Sequence, residues 1–169
     1  MKRFFAALLL PVCLLLTSCA GYHLGGQKPA HLRDIRTLAV PAFKNMTLEP
    51  RLAVNVTNAV IKQLQNHGAY QIVDRRNADA VLVGTIQGVN RSQYRSDRTN
   101  ILRSSQMRLT LEVTYDIQDR NGRVLHSHFQ TGESFIFLDP NVQLSETQAL
   151  EDAAQRLGTN LANELSEGW

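Results

Sequence analysis

The chain has 169 residues, 43% of them apolar, with 18 Lys and Arg against 15 Asp and Glu. That is the length of one domain, and setting aside a leading segment that carries Lys2 and Arg3 leaves 16 basic against 15 acidic residues. Near neutrality excludes a nucleic-acid binder on bulk charge, and with Cys13 and Cys19 as the only cysteines the rest of the chain has no thiol chemistry, thiolate metal site or disulfide.

Lys2 and Arg3 precede an apolar run from Phe4 to Leu16, broken only by Pro11. As a helix the run reaches about 20 Å, short of the roughly 30 Å hydrocarbon core, so it reads as an export signal and not as a spanning helix. Leu16-Thr17-Ser18-Cys19, followed by Ala20 and Gly21, resembles the bacterial lipobox. The resemblance implies a diacylglyceryl thioether on Cys19, cleavage before it, and a new amine open to acylation, for instance by palmitate. Each buried CH₂ contributes about 0.8 kcal/mol, and two or more chains make a stable anchor. By the same resemblance, Ala20 in place of Asp implies the outer membrane, facing the periplasm. Residues 1–18 are thus expected to be a lipoprotein signal peptide, 19–36 a lipidated tether with room for a short structured piece, and 37–169 a single domain. No cofactor is expected beyond the covalent lipid on Cys19.

In chain order, Thr37 to Phe43 reads as a short strand whose Pro41 suits an edge or an end. Asn45 and Thr47 read as loop-to-helix capping, with Glu49 and Pro50 in the first turn. Leu52, Val56, Ala59, Val60 and Leu64 then form one helical stripe, broken at Gln63 and stopped by Gly68. Tyr70 to Val73 is a short strand, and Ala80 to Ile86 an apolar strand that runs as far as Val89, with Gly84 and Gly88 marking a bend or bulge.

From Gln106 to Asp119 six apolar residues alternate with six polar ones, the pattern of a strand with one dry and one wet face. Arg120-Asn121-Gly122 turns the chain into a second long strand, Val124 to Phe137, with Gly132 as a bend. After Pro140, Ser145 and Gln148 form a capping-box pattern that opens a helix to Leu165, weakened at Gly158 by about 1 kcal/mol relative to Ala. The order βαβββα predicts an α+β two-layer sandwich, with both helices on one face of a mostly antiparallel four- to five-stranded sheet. The two long strands, near 50 Å each, outreach the helices.

Motifs for serine hydrolysis, nucleotide phosphate binding and zinc proteolysis are missing, so no enzyme is expected. His126 and His128 share one strand face, but the sequence shows no third ligand; on an exposed face they are expected to be solvated, with no metal. Arg91, Arg95, Arg98, Arg103 and Arg108 gather around Tyr94 with only Asp97 opposing. Arginine forks suit phosphate oxygens, and in an outer membrane the phosphorylated lipid A–core region is the available polyanion. The alternative is a solvated loop between two long strands.

Three segments carry a wider resemblance. Cys19-Ala20-Gly21-Tyr22-His23-Leu24 is similar, with one extra alanine, to the opening of the LPS-assembly lipoproteins (the LptE family). Leu38 to Pro50 resembles their V-P-x-F-x-N-x-T-x-E-P segment, and Ala78 to Ile86 their A-D-x-x-L-x-G-x-I strand. The resemblance implies a non-enzymatic plug and assembly partner of the large outer-membrane β-barrel that inserts lipopolysaccharide, and it leaves open whether lipopolysaccharide itself is bound. A polar sheet face suits a water-filled barrel interior. Two other readings compete. A periplasm-facing regulator of a peptidoglycan synthase needs a longer tether than some 17 residues, about 25 Å as a random coil. A secretion-pore subunit needs membrane-spanning hairpins for which the chain has no spare length.

Overall fold

The computed structural model describes residues 28–96, 104–137 and 142–168. A 3₁₀ turn (Ala30–Leu32) leads into β1 (Thr37–Ala39) and β2 (Lys44–Asn45), followed by α1 (Leu52–His67) and β3 (Gln71–Ile72). Three long strands follow, β4 (Ala80–Ser96), β5 (Ser104–Asp119) and β6 (Val124–Phe137), and α2 (Val142–Glu167) closes the fold.

The architecture is α+β, with two α-helices and a single six-stranded sheet in the order β3-β1-β4-β5-β6, β2 pairing separately with β4. Strand number and order both differ from the βαβββα expectation. Of the run 37–43 only Thr37–Ala39 is strand, β1; the ladder stops before Pro41, β2 follows beyond the run at Lys44–Asn45, and both pair parallel to β4. β1 and β3 are parallel as well, so only β4-β5-β6 is an antiparallel meander. There are also three long strands and not two: β4 has 17 residues, β5 16 and β6 14.

The alternation in β5 orders the core. Leu109, Leu111, Val113, Tyr115 and Ile117 are buried and share one cluster with Leu52, Val56, Val60 and Leu64 of α1 and Ala153, Leu157 and Leu161 of α2. Burying five such side chains, at about 1.5–3 kcal/mol each, is what fixes the register of β5. Leu32 and Ile35 are buried in the same cluster, so the folded unit already includes the segment around the 3₁₀ turn.

The family-like segments are the joints of this fold. The Phe43 ring occupies the place a Cβ would take at Gly84, so the glycine admits the aromatic to the sheet surface. Asn45 Oδ1 accepts from the Thr47 N–H at 2.9 Å, Thr47 Oγ1 accepts from the Glu49 N–H at 3.2 Å, and Asn45 Nδ2 donates to the Glu49 carbonyl at 2.8 Å. These bonds shape the approach to α1, which starts after Arg51 without a side-chain cap. Gly68 ends α1 at φ 67°, its N–H donating to the carbonyls of Leu64 and Gln65. Asp79 Oδ2 accepts the N–H groups of Arg36 and Thr37 at 3.1 and 3.0 Å, tying the start of β1 to β4.

Two glycines hold elements close together. At Gly132 the register of β6 is unbroken, and a Cβ there would meet the backbone of Ala153 and the Cβ and N of Leu157, so α2 lies directly on the strand. At Gly158 a Cβ would fall 2.9 Å from the Ala59 carbonyl group, where α2 crosses α1. α2 also begins four residues earlier than the capping pattern indicates, with Ser145 inside its first turn.

Candidate functional site

Strand pairing assigns the paired residues between Ala80 and Gln93 of β4, and those of β5 and β6 that face them, to one side of the sheet or the other. Opposite the helices lie Arg108, Thr110, Glu112, Thr114 and Asp116 of β5; their ladder neighbours are Val83, Thr85, Asn90 and Ser92 of β4 and Ser127, Phe129, Thr131, Glu133 and Phe135 of β6, so the face is polar along β5 and interleaved with aromatic rings along β6. Side-chain hydrogen bonds run across it, from Gln87 Nε2 to Thr114 Oγ1 at 2.7 Å and from Asn90 Nδ2 to Glu112 Oε1 at 2.5 Å. One corner carries a small apolar cluster of Ala39, Ala78 and Val81. The main core and both helices lie on the other face. At about 3.4 Å per residue β5 spans roughly 54 Å, against about 39 Å for the 26 residues of α2.

The far end of this face, between β4 and β5, is where the sequence gathers its arginines. Tyr94 is its centre: the guanidinium carbons of Arg108 and Arg95 sit 5.1 and 5.7 Å from its ring centroid, and the ring packs on Phe135 at 4.7 Å. Arg108 Nε is 3.9 Å from Glu133 Oε2, too long for a hydrogen bond. Arg91 does not join them. It pairs with Leu109 and so turns to the helix side, where its guanidinium meets Glu49 Oε1 at 2.8 Å and Glu146 Oε1 at 2.6 Å. Desolvation opposes its charge, but the hydrogen bonds it donates to Glu146 and Glu49 outweigh that and raise its pKa. Arg98 and Arg103 lie outside the described residues, as do Cys19 and the whole leading segment.

The histidines depart from the sequence reading. His126 and His128 pair with Ile117 and Tyr115, which places them on the helix side and not on the wet face. Glu164 of α2 reaches both: Oε1 lies 3.2 Å from His126 Nε2 and 3.4 Å from His128 Nδ1. A third group, absent from the sequence reading, is therefore supplied 36 residues further along the chain. The signal available for it was weak, since Glu164 shares the face of Leu157, Leu161 and Leu165 only approximately.

The fold defines a small α+β domain with a one-sided helical layer. Solved structures with this fold include the PelC dodecamer from Paraburkholderia phytofirmans, at TM-score 0.53 and 20% identity over 83% of this chain and 94% of that one. A minor lipoprotein from Acinetobacter baumannii aligns at TM-score 0.53 and 13% identity, over 76% of this chain and 91% of that one. Among curated protein sequences there is no match. The profile of the LptE family, described as Lipopolysaccharide-assembly, matches residues 35–166, and the chain belongs to that family. No helix among the described residues is long and apolar enough to cross a membrane.

Proposed function

We propose that the protein is an outer-membrane lipoprotein, held on the periplasmic side by acyl chains on Cys19, that serves as a non-enzymatic plug and assembly partner of the lipopolysaccharide-inserting β-barrel. The observation that carries this reading is the long sheet face opposite the helices, whose middle strand presents Arg108, Thr110, Glu112, Thr114 and Asp116, with Phe129 and Phe135 among the neighbours on β6. The interior wall of a large outer-membrane barrel is polar and wet, so such a face fits within it without desolvating charge against lipid. Family membership supplies the link to lipopolysaccharide assembly.

The same reading assigns lipopolysaccharide contact to Arg95 and Arg108 around Tyr94, with Arg98 and Arg103 of the adjoining segment. Arg91 has its two carboxylates and contributes to the fold. The test is a mild-detergent pulldown of the lipidated protein from its own outer membrane. Recovery of a large β-barrel supports the reading; recovery of a peptidoglycan synthase in its place overturns it. Reversing Arg95 and Arg108 to Glu is expected to weaken lipopolysaccharide binding in a salt-dependent way, and unchanged binding removes the arginines from the site.

A further inference from the structure

At the edge of the sheet, β6 brings His126 and His128 to the helix side, where Glu164 of α2 meets them. One ligand atom from each of the three lies within 4.8 Å of the other two. Bonds of about 2.0–2.2 Å at tetrahedral angles place donor atoms roughly 3.3–3.5 Å apart. The two separations from Glu164 Oε1, 3.2 and 3.4 Å, are close to those tetrahedral edges.

The surroundings hold these groups in place. Gln130 Nε2 donates to the other carboxylate oxygen, Glu164 Oε2, at 3.2 Å. His31 Nε2 stands 3.2 Å from His126 Nδ1, the ring nitrogen that does not face Glu164. That is the partner a metal-bound imidazole needs to fix its tautomer. The planes of the His126 and His128 rings are within 10° of parallel. Next to them lies the buried Tyr115 hydroxyl, which has no partner at full hydrogen-bonding geometry among the described residues.

We propose that His126 Nε2, His128 Nδ1 and Glu164 Oε1 form a binding site for a divalent late-transition ion of the zinc class, with His31 as the orienting partner of His126. Two imidazole nitrogens and one carboxylate oxygen favour zinc over magnesium or calcium, which take oxygen ligands. Three protein ligands leave the fourth position of a tetrahedral ion to water, and His128, 49% exposed, puts the site in reach of solvent. Bound there, the ion joins three separate parts of the chain: the 3₁₀ turn that leads in from the N-terminus, the edge strand and the terminal helix. The site is independent of the barrel reading and of the arginines.

The experiment is zinc titration of the full lipidated chain in mild detergent, purified without a polyhistidine tag and treated with chelator, read by calorimetry and by thermal unfolding. At a hundredfold excess over Kd the expected rise in Tm is about 5–10 °C, and chelator reverses it. His128→Ala, at a half-exposed edge position, is expected to abolish the rise; His31→Ala is expected to weaken affinity about 10- to 100-fold. His67→Ala, at the end of α1 and not one of the three clustered ligands, is expected to change nothing. Cobalt substitution is expected to give a tetrahedral d–d band that His128→Ala removes. The absence of zinc binding by the unmutated chain, or a zinc response that His128→Ala leaves intact, overturns the proposal.

Discussion

Replacing Gly158 by Ala sets two physical effects directly against each other. Helix propensity alone favours the change by about 1 kcal/mol, because glycine loses the most backbone entropy in a helix interior. Tertiary packing opposes it. The added Cβ would lie 2.9 Å from both C and O of Ala59 and 3.2 Å from the Val60 N, all of them backbone atoms of α1. Backbone inside a helix does not swing aside as a side-chain tip does, and Val56 and Val60 on either side of Ala59 are fully buried. The two helices must therefore move apart, an overpacking cost of about 1–3 kcal/mol. The balance is a loss near 1 kcal/mol, or a fall in Tm of about 2–4 °C for a domain of this size. Thermal unfolding followed by far-UV circular dichroism reads this directly. A rise of similar size would show that propensity governs the position, and it would refute the close crossing of α1 and α2.

Other outcomes follow from single contacts. Asp79 is held at about 2 chiefly by the Thr37 N–H, then by the Thr37 hydroxyl and the Arg36 N–H, below its ordinary 3.8. A depressed carboxylate stabilises the fold above the unfolded value and loses that contribution as pH falls through the folded one. Asp79→Asn is therefore expected to lower Tm at pH 7, with the gap to the unmutated chain closing between about pH 4 and pH 2 in a pH series of melts. The Tyr70 hydroxyl donates to the Leu165 carbonyl at 2.7 Å from a buried position, and its pKa is pushed up to about 12 by desolvation. Tyr70→Phe is expected to cost about 1 kcal/mol in denaturant unfolding, through the lost bond and the unpaired carbonyl at the end of α2. Cys19→Ala is expected to be exported without acylation, and fractionation then finds it released from the membrane.

The elements that were legible in the sequence are those with one dry face. β5 alternates because Leu109 to Ile117 pack against the helices while Arg108 to Gln118 stay partly exposed, and α1 shows its stripe because Leu52, Val56, Val60 and Leu64 enter the same core. The second half of β4 was not legible. From Gln87 to Arg95 its residues are mostly exposed on both faces, so no alternation marks a strand that ladder bonds to β5 hold in place. Bulges between Ile86 and Gly88 and again near Arg95 shift its register further. The parallel pairing of β1 and β2 with β4 was out of reach for a different reason, since two- and three-residue strands carry no period.

The sites divide along the same line. Spacing alone put the arginines together, but strand parity sends Arg91 to the helix side and Arg108 to the opposite face. Spacing also paired His126 with His128 correctly, yet their face depended on which residues of β6 look inward. Gly132, Ser134 and Ile136 settle that by packing toward α2, and only the folded chain brings Glu164 to them.

The claim that a host barrel encloses the polar sheet face is tested most directly by photocrosslinking in living cells from Thr114, at the middle of that face. The account predicts a covalent adduct to one large outer-membrane β-barrel, identified by mass spectrometry. An efficiently displayed probe at Thr114 that yields no β-barrel adduct, while the protein remains anchored and folded, would contradict it.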